Sequence, residues 1–129
     1  MRIDVVIPTR DRPTLVARLV DSLVTQSRPP GGIVIVDSGT ARPLDPATLP
    51  DGGETRIEVV RTDRVGIPAQ RNLGLDHVDP AAEVVAMFDD DVVVRPGCFE
   101  TLAARIAEAD PDIGGFGFNV VDEPLPRLR

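Results

Sequence analysis

The chain has 129 residues, of which 42% are hydrophobic, and these values fit one globular domain rather than a disordered segment. Its net charge of −7 and pI near 4.6 argue against a nucleic-acid partner, since proteins that bind a phosphate backbone normally carry a basic stripe. All 14 basic residues are arginine, which excludes any mechanism that needs a lysine Schiff base.

Cysteine content and hydropathy indicate the compartment. The single cysteine, Cys98, excludes an internal disulfide and a zinc site made of several thiolates. The first residues carry no apolar signal region, and apolar runs of about five residues are too short to span a bilayer. We therefore expect a cytoplasmic protein without a membrane segment, and attachment to the inner face of the membrane stays open.

The first half of the chain predicts two strands around a helix. Ile3–Ile7 is a β-branched run that ends at Pro8, as expected for a parallel strand buried on both faces. From Thr14 to Val24 the apolar residues recur at helical spacing, and Pro13 before them suits a first helical turn. Ile33–Val36 predicts the second strand, and the polar, Pro- and Gly-containing stretch after it predicts a loop.

The second half continues the alternation. Strands are predicted at Ile57–Val60, at Val84–Phe88 and at Ile113–Val121. Helices are predicted at Pro68–Val78 and from Phe99 to about residue 110, and residues 122–129 resemble a frayed end. Strands that alternate with helices at short intervals predict an α/β fold with a largely parallel sheet.

Polar residues follow three of the predicted strands. In open parallel sheets ligands bind at the carboxyl ends of the strands, where the strand order reverses. The residues at those ends are Thr9, Arg10, Asp37, Ser38 and the acidic trio Asp89, Asp90 and Asp91. The sequence therefore predicts a binding site at that edge of the sheet.

The acidic trio is the most informative motif. At spacings of about 5 Å and an effective dielectric of about 20, each neighbouring carboxylate pair repels by roughly 3 kcal/mol, which favours a bound cation. Mg²⁺ or Mn²⁺ suits oxygen ligands and is commonly held by one or two carboxylates plus substrate phosphates. We expect Asp91 and then Asp89 as ligands and Asp90 as acceptor from a ribose hydroxyl; a solvated turn is the alternative.

Three further residues allow two interpretations each. Asp37 is either a turn residue paired with Gly39 or a contact to a nucleobase or ribose. Arg71 either faces solvent on a helix or lies beside a nucleotide, and Arg10 either lies on the surface or meets a phosphate.

Five blocks of the sequence together resemble family 2 glycosyltransferases with the GT-A fold. They occur in the family's order and are Val5–Arg12, Leu23–Ser27, Ile35–Gly39, Gly66–Gly74 and Phe88–Asp91. The resemblance implies a Rossmann-like domain over residues 1–129 that transfers a sugar from a nucleotide diphosphate donor to an acceptor hydroxyl with inversion. The acceptor, whether glycan, lipid or small molecule, is not indicated.

The same resemblance implies roles for particular residues. Pro8 and Thr9 would line the nucleobase pocket, Asp37 would contact the base, and Arg71 would lie beside the nucleotide. Asp89 and Asp91 match the two acids of the family's Asp-x-Asp motif, which binds Mg²⁺ or Mn²⁺. Family members continue past this motif into an acceptor-binding part that supplies a carboxylate general base. We expect this chain, which ends at Arg129, to be truncated and to lack that part, and the general base stays unassigned because Asp122 and Glu123 follow the motif too closely.

Two competing functions remain. A non-catalytic nucleotide-sugar-binding module needs the same donor site without turnover. A haloacid-dehalogenase-type phosphatase also uses two acids after a strand, but there they follow the first strand and a later lysine assists, whereas this chain has no lysine.

Overall fold

The computed structural model describes residues 1–122, which form a four-stranded sheet with helices. The strands are β1 (Ile3–Thr9), β2 (Gly32–Asp37), β3 (Arg56–Arg61) and β4 (Val84–Met87). The helices are α1 (Pro13–Val24), α2 (Ile67–His77) and α3 (Cys98–Glu108), and a 3₁₀ turn covers Pro46–Thr48. The predicted α/β class and the first four strands are confirmed, with boundaries that differ by one or two residues.

The sheet is parallel throughout, in the order β3-β2-β1-β4. Every residue of β1 and β2 is buried, as the uninterrupted apolar runs predict for strands that are covered on both faces. The chain builds outward from β1 through β2 to β3 and then returns to place β4 on the other side of β1. The strand order therefore reverses between β1 and β4, where a binding crevice is expected.

Pro8 shapes that crevice. We expected it to end β1, but the strand continues through Pro8 to Thr9, paired with β2. Successive residues of β1 direct their backbone N–H and C=O groups alternately toward β4 and β2. Val6 O accepts from Phe88 N beside β4 (3.2 Å), and Thr9 O accepts from Ser38 N beside β2 (3.1 Å). Pro8 therefore faces β4 without an N–H to donate. The β1–β4 ladder stops before it, at the pair Val6–Met87.

Helices α1 and α3 contribute much of the core. Phe99 of α3 is fully buried, and so are four apolar residues of α1: Val16, Leu19, Val20 and Leu23. Phe99 stacks on Phe88 with ring centroids 6.3 Å apart, so α3 packs beside the end of β4. In residues 1–122, no helix is long and apolar enough to cross a membrane.

The predicted fifth strand at Ile113–Val121 is wrong. Within the described residues this segment forms no strand, and Val120 is 80% exposed. Phe118 of this segment contacts Phe88, with ring centroids 4.8 Å apart. The segment contains Gly114, Gly115 and Gly117, which weaken a strand, and an apolar pattern does not supply a pairing partner. Of the predicted frayed end, residues 123–129 lie outside the described part.

Helix α2 approaches the sheet through Gly74. A Cβ at this position would overlap Val6 Cγ1 and would lie 3.2 Å from Val36 Cγ2. Glycine therefore sets the distance between α2 and the two central strands, and larger residues would push the helix away.

We expect Gly74→Ala to lower the free energy of unfolding by about 1–3 kcal/mol, because the added methyl group overpacks the contact with Val6. Urea denaturation of both proteins measures the change. Gly115→Ala is the matched control, since no atom lies within 4 Å of a Cβ built there. Equal destabilisation by the two substitutions would contradict the close approach of α2.

Candidate functional site

The three acids after β4 have different environments. Asp89 and Asp91 are exposed, whereas Asp90 is buried. Thr9 Oγ1 donates to Asp90 Oδ2 at 2.8 Å, and Arg12 Nη1 donates to Asp90 Oδ1 at 3.2 Å. Asp90 thereby joins the ends of β1 and β4. A carboxylate keeps further lone pairs after two such bonds, so its contact with a ribose hydroxyl stays a prediction.

Arg71 of α2 reaches the same edge of the sheet. Its Nη2 donates to Asp89 Oδ1 at 3.0 Å, in an ion pair whose side chains are 37% and 61% exposed. Such an exposed pair is worth about 0–1 kcal/mol, so a charged ligand can displace it. Arg71 Nε is buried without a hydrogen-bond partner among the described residues. The structure thus brings Arg71 beside the acids; its contact with a nucleotide stays a prediction.

The oxygen ligands that Asp89 and Asp91 offer bear on the predicted metal site. In the described chain no cluster of three or more histidine, cysteine or acidic side chains is arranged to hold a metal. Asp89 and Asp91 offer exposed oxygen ligands on the two sides of Asp90. One or two carboxylates suffice for Mg²⁺ or Mn²⁺ only when phosphate oxygens and water complete the shell. These residues therefore fit a cation that arrives with a phosphate ligand.

Asp37 organises the loop after β2. Its side chain is 1% exposed, and Oδ1 accepts from Gly39 N at 2.8 Å. Oδ2 accepts from Leu44 N at 2.7 Å and pairs with the guanidinium of Arg61. The turn interpretation of Asp37 is confirmed, while its contact with a nucleobase stays a prediction.

Asp11 links the loops after β1 and β2, a role that the sequence analysis missed. Its Oδ1 accepts from Thr40 N at 2.9 Å and from Arg42 N at 2.8 Å. These backbone bonds, above all that from Arg42, hold the pKa of the Asp11 carboxyl below its ordinary value, and nearby Arg10 adds to the effect. Asp11 has φ of 55°, a left-handed conformation that Asp and Asn tolerate best among side-chain-bearing residues.

The predicted phosphate contact Arg10 is at the edge of this loop. Its side chain is 54% exposed, and Nε lies 3.8 Å from Asp11 Oδ2. Arg10 is therefore held loosely beside the crevice, and its contact with a phosphate stays a prediction.

Gln70 of α2 is the second residue that the sequence analysis missed. It is 2% exposed, and Nε2 donates to Thr9 O at 3.0 Å and to Val36 O at 2.9 Å. Its Oε1 accepts from Ser38 Oγ and from Gly66 N, both at 3.2 Å. The available sequence signal was its place four residues before Gly74, which puts both on the helix face that meets the sheet.

The other end of the sheet, at the amino ends of the strands, also carries charged side chains, but these form ion pairs within the protein. Arg2 contacts Asp4 at 2.8 Å and Asp79 at 3.4 Å, and His77 Nδ1 lies 2.9 Å from Glu58 Oε1. The end formed by the carboxyl ends of the strands, here called the carboxyl edge, differs because Asp91 is exposed there and the side chain of Asp89 is 61% exposed. The carboxyl edge is therefore the candidate site.

The pKa of Asp11 gives a prediction for stability against pH. Because the folded protein lowers this pKa, the contribution of Asp11 is fully present above the ordinary value of 3.8 and is lost as the pH falls through the lower folded value. Asp11→Asn keeps the left-handed backbone and an acceptor oxygen but cannot ionise. We expect the parent to exceed this variant in melting temperature at neutral pH, with the difference shrinking below pH 3.8.

Calorimetric melting of both proteins from neutral to acidic pH measures this difference. A difference that stays constant over the whole range would contradict a charge-assisted link between the two loops.

Known proteins of similar sequence and fold indicate the family of this chain. The model of the family described as Glycosyl transferase family 2 matches residues 4–125. The O-antigen biosynthesis protein RfbC of Myxococcus xanthus is 27% identical over 119 residues, which are 90% of this chain and 9% of that protein.

Solved structures share the fold. S. aureus TarS superposes with a TM-score of 0.64 at 23% identity, over 84% of this chain and 20% of TarS. TarS 1–349 in complex with UDP-GlcNAc gives 0.64 at 21% identity, over 84% of this chain and 32% of that one. The chain thus spans a third or less of the proteins that it matches. The likeness confirms the predicted fold of the GT-A type, and the family match over nearly its whole length shows that the chain belongs to glycosyl transferase family 2.

Proposed function

We propose that residues 1–129 form the donor-binding domain of an inverting glycosyltransferase that uses a nucleotide diphosphate sugar and Mg²⁺ or Mn²⁺. Asp89 and Asp91 hold the cation together with the donor diphosphate. Pro8, Thr9 and Asp37 line the nucleoside side of the crevice, and Arg10 and Arg71 serve its phosphates. The acceptor and the general base are not assigned to residues of this chain.

One observation carries the proposal: at the carboxyl ends of β1 and β4 an arginine lies beside the exposed carboxylate of Asp89, and a second exposed carboxylate, Asp91, follows two residues later. Arg71 Nη2 lies 3.0 Å from Asp89, and Asp90 between the exposed acids is anchored to Thr9. An arginine fork suits phosphate oxygens, and the carboxylates suit a hard divalent cation. A nucleotide diphosphate together with its cation would match both kinds of group.

The proposed site residues support sugar transfer by stabilising the negative charge of the departing diphosphate. When bound, the cation supplies Lewis-acid stabilisation of the departing diphosphate. Arg71 donates to the phosphates once it leaves Asp89, and the buried Asp90 keeps the turn that presents Asp89 and Asp91 in place. The acceptor oxygen bonds to the anomeric carbon as the bond to the diphosphate oxygen breaks, and the hydroxyl proton passes to a base.

The phosphatase alternative loses its support. Its two acids belong at the end of the first strand, whereas here they follow β4 beside the central strand. The chain also belongs to a glycosyltransferase family. A stable aspartyl-phosphate after incubation with a phosphate ester would be needed to restore it.

Calorimetry with UDP tests the donor site directly, and UDP is the natural probe because TarS structures exist with UDP and with UDP-GlcNAc. We expect UDP to bind clearly more tightly in the presence of Mn²⁺ than in its absence, because the carboxylates alone form no complete metal site. Equal affinity with and without Mn²⁺ would contradict the role of the cation.

Asp91→Ala tests the assignment of the ligand. We expect it to weaken Mn²⁺-dependent UDP binding by about tenfold or more, which corresponds to about 1.4 kcal/mol, because an oxygen ligand is lost. The fold should remain intact, since the substitution removes one of three repelling charges. Asp112→Ala, which also deletes an exposed acid, is the matched control. Equal UDP affinity in parent and Asp91→Ala would exclude Asp91 as the ligand.

Release of free UDP from UDP-GlcNAc separates transfer from binding alone. Metal-dependent release that increases with added acceptor supports the enzyme. Tight binding without any release would favour the non-catalytic module instead.

A further inference from the structure

We propose that Gln70 is a positioning residue for the donor: its buried amide holds the ends of β1 and β2 and the start of α2 in the arrangement that binds a nucleotide diphosphate. This inference rests on the proposed function. Gln70 itself is enclosed by protein, so it acts through the residues that it holds.

The amide of Gln70 has a partner at each of its four hydrogen-bonding positions. Its two N–H groups donate to the carbonyl oxygens of Thr9 and Val36, on adjacent strands. Its oxygen accepts from Ser38 Oγ and Gly66 N. A buried network in which every member is satisfied favours one arrangement, because any shift leaves polar groups unpaired in a low dielectric.

Gln70 is connected to several of the predicted site residues. Thr9, whose carbonyl it binds, holds Asp90 through its hydroxyl. Arg71 follows Gln70 directly in α2 and pairs with Asp89. Ser38 follows Asp37 at the end of β2. One amide therefore sets the relative positions of the nucleoside and diphosphate sides of the crevice.

Strand pairing does not require this amide. The ladder between β1 and β2 already runs from Asp4–Gly32 to Thr9–Asp37, and Ser38 N donates to Thr9 O at 3.1 Å. Close packing at Gly74 independently seats α2 on the sheet. What Gln70 adds is the angle and register of the first turn of α2, which directly precedes Arg71.

The chain offers a matched control in Gln26. This glutamine is 6% exposed and also bridges elements: its Nε2 donates to Ser22 O at 3.0 Å and Arg95 O at 2.9 Å, and its Oε1 accepts from Phe99 N at 3.2 Å. All three partners are backbone atoms, and none belongs to a residue proposed above to bind the donor. Removing its amide tests the cost of losing a buried glutamine without touching the crevice.

The experiment compares Gln70→Met, Gln70→Glu and Gln26→Met with the parent, in the full 129-residue chain. Methionine keeps the length without hydrogen bonds, and glutamate keeps the shape but, when ionised, cannot donate to the two carbonyls. The dissociation constant of UDP with Mn²⁺ is measured by calorimetry below the melting transition and corrected for the folded fraction seen by circular dichroism.

We expect both Gln70 variants to raise the dissociation constant about 10- to 100-fold, the range typical when a supporting contact of a binding group is lost. Gln26→Met should stay within about threefold of the parent, although its melting temperature falls similarly. A purely structural role would lower the melting temperature of the Gln70 variants and leave the affinity of their folded fraction unchanged.

The outcomes separate the two proposals. If the parent binds none of the nucleoside diphosphates UDP, GDP and dTDP in the presence of Mn²⁺, the proposed function fails. If the parent binds and the folded Gln70 variants bind equally well, only the positioning role is overturned. If both Gln70 variants fail to fold while Gln26→Met folds, the role of Gln70 lies in stability and the inference is likewise overturned.

Discussion

The constraint on which this structure depends is the place of β1 between β2 and β4, with a ladder to β4 that ends before Pro8. Pairing with β2 continues to Thr9, so one side of β1 stays closed while the other opens. The opening lies at the reversal of strand order, and it is spanned by the hydrogen bond from Thr9 to Asp90. The ladder to β4 thus ends where the central strand β1 lacks an N–H, and this point marks the position of the proposed crevice.

The polar residues around the proposed crevice differ in burial. Asp37, Asp90 and Gln70 are buried and satisfied within the protein, where they hold loops and strand ends. Asp89 and Arg71 are partly exposed, and their weak mutual pair leaves both open to ligands. Because the turn that carries the exposed acids is anchored by Asp90, little order has to be gained on binding, and preorganised sites of this kind bind more tightly.

The first four strands and the three helices could be predicted from the sequence, because apolar runs and their periodicity indicate which residues are buried. The roles within the acidic trio could not, because the direction of Asp90 depends on a partner, Thr9, that is 81 residues away. Gln70 was missed for the same reason: its four partners lie in three segments. The prediction of a fifth strand failed because the sequence pattern contained apolar residues but no information about a pairing partner.

The most direct test of the central claim is paramagnetic broadening by Mn²⁺ in the amide NMR spectrum, recorded with and without UDP. The account predicts that substoichiometric Mn²⁺ with UDP broadens the amides of Thr9–Arg12 and Asp89–Asp91 selectively, and that Mn²⁺ alone broadens them much less. Broadening centred on the opposite edge, near Glu58 and Asp79, or none at the carboxyl edge with UDP present, would contradict it.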